Sequence, residues 1–392
     1  MQIPDLPELP PEIELVLRLA QPGSPEPRDL QALLHNRLDW EKVRLFARKH
    51  SLLPFFYPRL AELADGMVPA AVLAEAQELF RLNMLRSTRL GGHLVRLRQV
   101  LEGHGIEFMA LRGPLLAEIV YQPVPGVRTF SDLDILVHPQ DFPSVYAALG
   151  EAGCPPVKLL TEQEQRWIVR GDRDFAFYLG ADVLEVHWAV DEPGYCFPLK
   201  NSQFWEAKTS HRLLGDDFYT FNPDLFFLSM CLHGARHRWE KLAWAFDLAW
   251  FAHSQQDFDW QGFWVWACGL GFRRVAAMGM QMAELVGSAR FPDEMRRAYW
   301  RENMALRLTH QNLESLLLSG AGRSRSSYKQ AMNDLAYDLQ ARERLAAKVY
   351  LVADRLFTPR QSDWRAFRLP ERLYWLYTPL RPLRLLWSAL KK

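Results

Sequence analysis

Arg112-Gly113-Pro114, Leu115-Leu116-Ala117-Glu118-Ile119-Val120-Tyr121, Arg128 and Ser131-Asp132-Leu133-Asp134-Ile135-Leu136-Val137 form the stretch that decides the fold. Its last segment is an apolar, β-branched run, which reads as a strand. Side chains alternate faces along a strand, so Asp132 and Asp134 point the same way. Two like charges side by side repel each other, and folding alone gives no reason to keep them. A divalent cation gives one, and paired carboxylates recur where a metal is held against phosphate oxygens. Upstream, Ile106-Glu107-Phe108-Met109-Ala110-Leu111 reads as a short buried strand. Gly113 then allows a close backbone approach, and Pro114 is a start signal at a first helical position. A strand that turns through glycine into a helix offers free N–H groups and the positive end of a dipole to an anion.

The order strand, glycine turn, helix, strand with Asp-x-Asp resembles the core of the DNA polymerase β-like nucleotidyltransferase superfamily. That superfamily usually has Gly-Ser or Gly-Gly at the turn. Here Pro114 follows Gly113, and the gap from Gly113 to Asp132 is longer than usual. A narrower group, the bacterial uncharacterised nucleotidyltransferases, has both features. It also carries Lys or Arg before the glycine and an Arg shortly before the Asp pair, positions that Arg112 and Arg128 fit. Asp39-Trp40, His50-Ser51-Leu52-Leu53-Pro54, Leu184-Glu185-Val186-His187-Trp188, Asp247-Leu248-Ala249 and the Arg-Pro-rich end keep the order of the group's flanking segments.

The resemblance implies an α+β fold, a nucleotidyltransferase-like mixed sheet core flanked by N- and C-terminal helical domains. It implies Mg²⁺ or Mn²⁺ and a nucleoside triphosphate, with ATP the expected one. Asp132 and Asp134 would hold the metal, and Arg112 with Gly113 would cradle the β and γ phosphates. Arg128, His237 and Lys241 would face the triphosphate, with Asp247 among the nucleotide-side residues. In the superfamily a third carboxylate lies on a strand beside the Asp pair. Glu185 is the candidate, either completing the metal site or deprotonating the acceptor hydroxyl.

Working outward, residues 1–90 read as a helical N-terminal domain. It has Pro-rich stretches near 6–11 and 22–27, Asp29 as an N-cap and helical periodicity through Trp40–Ala47. Periodicity breaks near Pro58, resumes from Ala70 to Leu101 and ends at Gly103 and Gly105. Residues 91–215 read as the sheet core. Within it Pro139–Pro143 opens a helix ending near Gly150 to Gly153. Asp174–Leu179 and Val183–Trp188 read as strands joined by a tight turn at Gly180-Ala181-Asp182. Glu185 and His187 then share one face, which also suits a plain polar pair at a sheet edge.

Residues 216–392 read as a helical C-terminal domain. In Leu225–Ala252, Asp247 is the one charge between Lys241 and His253. A carboxylate in Ala-Trp-Ala-Phe-Asp-Leu-Ala-Trp-Phe is too costly to bury unpaired. A cation or backbone N–H partner is therefore expected, Arg128 or Arg112 foremost. His237 and Lys241 are four apart and are expected on one helix face. His233 and His237 have zinc-helix spacing, but Gly234 stands where H-E-x-x-H needs Glu, so histidines bonded within a helical bundle fit as well.

From Pro359 on there are eight basic and two acidic residues interleaved with aromatics. Such a segment suits a membrane surface or partner, or packing on its own protein with snorkelling arginines.

The 49% hydrophobic and 24% charged composition is that of an ordinary soluble globular chain. A net charge of +1 gives no general grip on nucleic acid. Of 14 tryptophans most follow residue 160, which predicts a large aromatic core there. Cys154, Cys196, Cys231 and Cys268 form no C-x-x-C, so neither zinc nor a disulfide framework is expected, and a reducing compartment fits. The opening Met1–Pro7 lacks a basic n-region and an apolar h-region, and no apolar run is long enough to span a bilayer, so a cytoplasmic protein is expected.

Three functions fit. The first is a Mg²⁺-dependent nucleotidyltransferase moving NMP from an NTP to a hydroxyl-bearing small molecule, peptide or protein. The second is a catalytically silent nucleotide-binding or scaffold protein on the same fold, supported by the missing turn serine. The third is an interaction protein docking a membrane or partner through its basic aromatic end.

Overall fold

The computed structural model describes residues 9–23, 27–35, 37–62, 66–122, 124–191, 198–317 and 328–390. The opening 1–7, residues 24–26, Cys196, Lys391 and Lys392 lie outside them. The fold is α+β, a small mixed sheet with helical flanks. The described residues divide into two compact units, each drawn from three stretches of chain. This partition differs from the three consecutive segments read from the sequence.

One unit takes the described parts of Gly92–Arg112, Ser131–Asn222 and Ser324–Lys392. Its sheet has β1 (Phe108–Ala110), β2 (Leu133–Val137), β3 (Asp174–Leu179) and β4 (Asp182–His187), in the order β1-β2-β4-β3. β2 runs antiparallel to β1 and parallel to β4. All five β2 residues are buried, as a central strand covered on both faces requires. The parallel return from β2 to β4 goes by way of helices Phe142–Glu151 and Glu162–Gly171. Thr161 caps the second of these reciprocally with Glu164.

β3 and β4 form a hairpin whose two-residue turn is Gly180-Ala181, with Gly180 at φ 64°. Asp182 is the first residue of β4 rather than part of the turn. Phe142, Tyr146, Phe175, Phe177 and Trp188 pack edge-on and tilted over this hairpin.

A second hairpin, β5 (Lys208–Leu213) and β6 (Asp216–Phe221), was not evident in the sequence, where a helical domain is expected from residue 216. β5 reads Lys-Thr-Ser-His-Arg-Leu, half-exposed and almost without apolar alternation. Regular helix begins at Pro223.

The C-terminal helix Tyr377–Leu390 belongs to the same unit. It packs on its own protein through buried Tyr377, which lies against Trp167 and Phe367. Arg381 and Arg384 both hold Asp363, and Arg381 Nε donates to the Arg355 carbonyl 3.0 Å away. Trp375, Leu383, Leu386 and Trp387 remain exposed.

The other unit takes the described parts of Met1–Gly91, Gly113–Phe130 and Pro223–Arg323 and is helical. Asp39 caps helix Trp40–Lys49 by accepting from the N–H groups of Glu41 and Lys42. Helix Ala70–Gly103, whose residues up to Gly91 belong to this unit, runs unbroken over the span its periodicity predicts. The expected aromatic core is present: Phe227, Phe251, Phe258, Trp260 and Phe263 interlock with ring centroids 4.5–6.5 Å apart.

The stretch Leu225–Ala252 is not one helix. Helix Pro223–Arg236 ends, Arg238 and Trp239 take φ of 52° and 54°, and helix Ala243–Ser254 begins anew. The fully buried Trp239 ring folds back onto Gly234, where any Cβ would lie 2.5 Å from it. Gly234 therefore makes room for the ring that ends the helix. Among the described residues, no helix is long and apolar enough to cross a membrane.

Candidate metal centre

The parallel ladder between β2 and β4 sets Asp134 directly beside Glu185. His187, two residues further along β4, presents its ring on the same face. Asp134 Oδ1 lies 2.9 Å from His187 Nε2, and Glu185 Oε2 lies 3.5 Å from the same nitrogen. Among the described residues, Asp134, Glu185 and His187 form a group whose ligand atoms all fall within 4.8 Å of one another. Asp134 and His187 are buried, whereas Glu185 is half-buried, so the cluster opens on the glutamate side. Arg112, just past β1, reaches Asp134 Oδ2 with Nε at 3.3 Å. The Leu111 N–H donates to the Asp134 carbonyl at 3.1 Å, fixing the β1 exit against β2.

Asp132 sits one residue before β2 rather than inside it. Burial raises its pKa, and so do the charges of Asp134 and Glu185, so its carboxylate shares their surroundings. Asp134 behaves oppositely. Burial pushes its pKa up, but the Arg112 guanidinium, the hydrogen bond from His187 and the charge of Arg173 together hold it well below the usual carboxylate range. Burial also disfavours a charge on His187. Its hydrogen bonds to Asp134 and Glu185 outweigh that and hold the ring at about 9, so it is an imidazolium at neutral pH. Two neighbouring carboxylates are thus split, one held ionised and one pushed toward its neutral form.

The helical unit holds a separate constellation. Arg128 grips Asp247 in a two-pronged ion pair, Nε to Oδ1 at 2.7 Å and Nη2 to Oδ2 at 2.9 Å. The buried Tyr121 hydroxyl donates to Oδ1 at 2.6 Å. The expected partner of Asp247 is therefore Arg128, not Arg112. The guanidinium also lies 5.2 Å from the Phe130 ring centroid and reaches the Thr129 carbonyl. Asn83 Nδ2 holds the Gly126 carbonyl at 2.6 Å and the Arg128 carbonyl at 3.0 Å, fixing the chain that carries the arginine.

Gly113 takes φ 69° and ψ −141°, a conformation that an L side chain resists, at the N-terminus of helix Pro114–Val120. That helix has seven residues and no side-chain cap bond, so its dipole is short. His237 follows helix Pro223–Arg236, and Lys241 precedes helix Ala243–Ser254. They do not share a helix face, because the Trp239 turn lies between them. The His237 ring instead packs against those of His233 and Trp244, with centroids 4.7 and 5.3 Å away.

Of the residues singled out from sequence, Arg112, Asp132, Asp134 and Glu185 gather around one face of the sheet. Gly113, Arg128, His237, Lys241 and Asp247 belong to the helical unit. His187, Arg173 and Tyr121 were not read as members of either constellation. The Glu-x-His alternation was the available signal for His187.

A model of the family described as uncharacterised nucleotidyltransferase matches residues 36–287. No curated protein and no solved structure matches the chain.

Proposed function

The chain belongs to the uncharacterised nucleotidyltransferase family, and on that premise we propose that it transfers NMP from an NTP to a hydroxyl-bearing acceptor. The acceptor is a small molecule, a peptide or a protein, and ATP is the donor in this reading. The observation that carries the proposal is the register of Asp134 beside Glu185 on adjacent parallel strands. That pairing brings carboxylates together, and burial along with the charges of Asp134 and Glu185 raises the pKa of the neighbouring Asp132.

Asp134 and Glu185 would hold Mg²⁺ or Mn²⁺, with Asp132 beside them. The donor set fits a hard dication, being rich in carboxylate oxygen. Such a cation supplies Lewis-acid polarisation of phosphate oxygens. Arg112 would turn part of its charge toward the β and γ phosphates, and Gly113 would let the backbone come close to them. The acceptor oxygen attacks the α-phosphorus, the bond to the bridging oxygen breaks, and pyrophosphate leaves. Glu185, the more open carboxylate, completes the metal site or takes the acceptor's proton. Roles in nucleotide binding for Arg128, His237, Lys241 and Asp247 are part of the same proposal.

The test is a screen of the four labelled NTPs with Mg²⁺ or Mn²⁺ against pooled acceptors, reading labelled product and pyrophosphate. Product formed by the wild type and lost in Asp134→Asn supports the reading. NTP binding that depends on the metal but never yields product favours the silent nucleotide-binding alternative. Pro114, standing where a turn hydroxyl would touch a phosphate, is the observation on that side.

A further inference from the structure

We propose that His187 is itself a ligand of the bound cation, oriented by Asp174, and that its nitrogen makes the site one for a transition-metal dication such as Mn²⁺ rather than Mg²⁺. The inference rests on the reading of Asp134 and Glu185 as metal-holding residues.

The first support is spacing. Two donors bound to one cation at about 2.1 Å, with an angle between 90° and 110°, stand roughly 3.0–3.4 Å apart. The imidazole Nε2 lies 2.9 Å from Asp134 Oδ1 and 3.5 Å from Glu185 Oε2. Nε2 thus stands close to such a spacing from each carboxylate oxygen, and all three ligand atoms fall within 4.8 Å of one another. As the structure stands, Nε2–H donates to Asp134. The cation would replace that proton, which leaves to solvent.

The second support is the other side of the ring. His187 is fully buried, and among the described residues its Nδ1 has no hydrogen-bond partner. A buried ring nitrogen without a partner is costly and needs a reason. Asp174 stands directly opposite His187 in the β3–β4 ladder, and its Oδ2 is 3.8 Å from Nδ1. Metal-bound histidines usually donate their second N–H to a carboxylate, which fixes the tautomer and strengthens the ligand. Closing this gap to a hydrogen-bond length of about 2.8 Å takes a shift shared between the ring and the Asp174 carboxylate. Arg173 holds Asp174 at 2.6 Å, so the carboxylate is already placed for that role.

The third support is donor chemistry. Mg²⁺ takes oxygen ligands and keeps several waters. A dicarboxylate-plus-imidazole set shifts preference toward first-row transition metals. If His187 serves only as a fixed positive charge beside Asp134, the site remains an oxygen site and no such preference arises.

The experiment is a titration of the full chain with Mn²⁺, followed by pulsed electron paramagnetic resonance of the bound ion. The expected result is nitrogen hyperfine coupling of a directly bound imidazole in the wild type. His187→Gln should still bind Mn²⁺, about 10-fold or more weakly, and should lose the coupling. Asp174→Asn should keep the coupling and bind about 10–100-fold more weakly. Mg²⁺ should displace Mn²⁺ from the wild type only in large excess, and more readily from His187→Gln. Bound Mn²⁺ without nitrogen coupling in the wild type overturns the inference and leaves a carboxylate-only metal site standing. That measurement needs no variant to fold. No Mn²⁺ or Mg²⁺ binding at all overturns the metal-site reading as well.

Discussion

Two buried aspartates, Asp134 in the sheet and Asp247 in a helix, meet burial in opposite ways. Asp247 is saturated. One guanidinium and one phenol supply three hydrogen bonds to its two oxygens, and the charges of Arg128 and Asp247 cancel. Asp134 is partnered too, by His187 at 2.9 Å and Arg112 at 3.3 Å. Yet Glu185 and Asp132 crowd the same region, and Asp132 is pushed toward its neutral form. A closed ion pair with both carboxylate oxygens hydrogen-bonded is a structural device. A cluster of three carboxylates with an open side is what the proposed cation would need. Both motifs look alike in sequence, as acidic residues in apolar runs. Only their company distinguishes them.

Substitution should separate the two regions. Asp134→Asn should lower metal-dependent turnover by a factor on the order of 10³ or more. It should also cost stability, since it removes the carboxylate charge that Arg112 and His187 both contact. Asp247→Ala should have the largest effect on folding, about 3–5 kcal/mol, because it removes the carboxylate that holds the mostly buried Arg128 guanidinium at both Nε and Nη2. Denaturant unfolding measures both. An Asp247→Ala protein as stable as the wild type would mean that the ion pair is dispensable. Tyr121→Phe removes one hydrogen bond from the same carboxylate and should cost about 1–3 kcal/mol. Asp132→Asn should leave stability unchanged or raise it, since the charge it removes is repelled by Asp134 and Glu185. A clear loss of stability in Asp132→Asn would show a favourable partner for that carboxylate.

Without added metal, the pairing of Asp134 with His187 gives stability a window in pH. The pKa of His187 is raised to about 9 in the folded protein. Its contribution is therefore complete below the unfolded value near 6.5 and is lost as pH rises through about 9. The pKa of Asp134 is lowered, so its share is present above the unfolded value near 3.9 and is lost as pH falls through the folded one. Stability measured between pH 6.5 and 9 should fall more steeply in the wild type than in His187→Gln. Parallel curves would mean that the imidazolium pairing contributes nothing.

Much of this was legible because local pattern and tertiary outcome agree. The strand carrying Asp134 follows from alternation in an apolar run, with Asp132 one residue before it, and the helix start at Pro114 follows from a Gly-Pro step. The pairing of Asp247 follows from the cost of a lone charge among Trp, Phe and Ala. What stayed hidden depends on contacts distant in sequence. The parallel register that sets Glu185 beside Asp134 is fixed by helices crossing between β2 and β4. His187 looks like an ordinary strand polar residue until that register is known. The turn at Arg238-Trp239 interrupts a region that is apolar on both sides, and it exists because Gly234 admits the Trp239 ring. The β5–β6 hairpin is too polar and too exposed to announce itself by alternation.

The claim that the sheet cluster, and not the helix pair, is the cation site is tested most directly by Mn²⁺ binding to three proteins: the wild type, Asp134→Asn and Asp247→Asn, each verified as folded by circular dichroism. Wild type and Asp247→Asn should bind Mn²⁺ with similar affinity, and Asp134→Asn should bind it at least about 100-fold more weakly. Undiminished binding by folded Asp134→Asn would contradict the assignment.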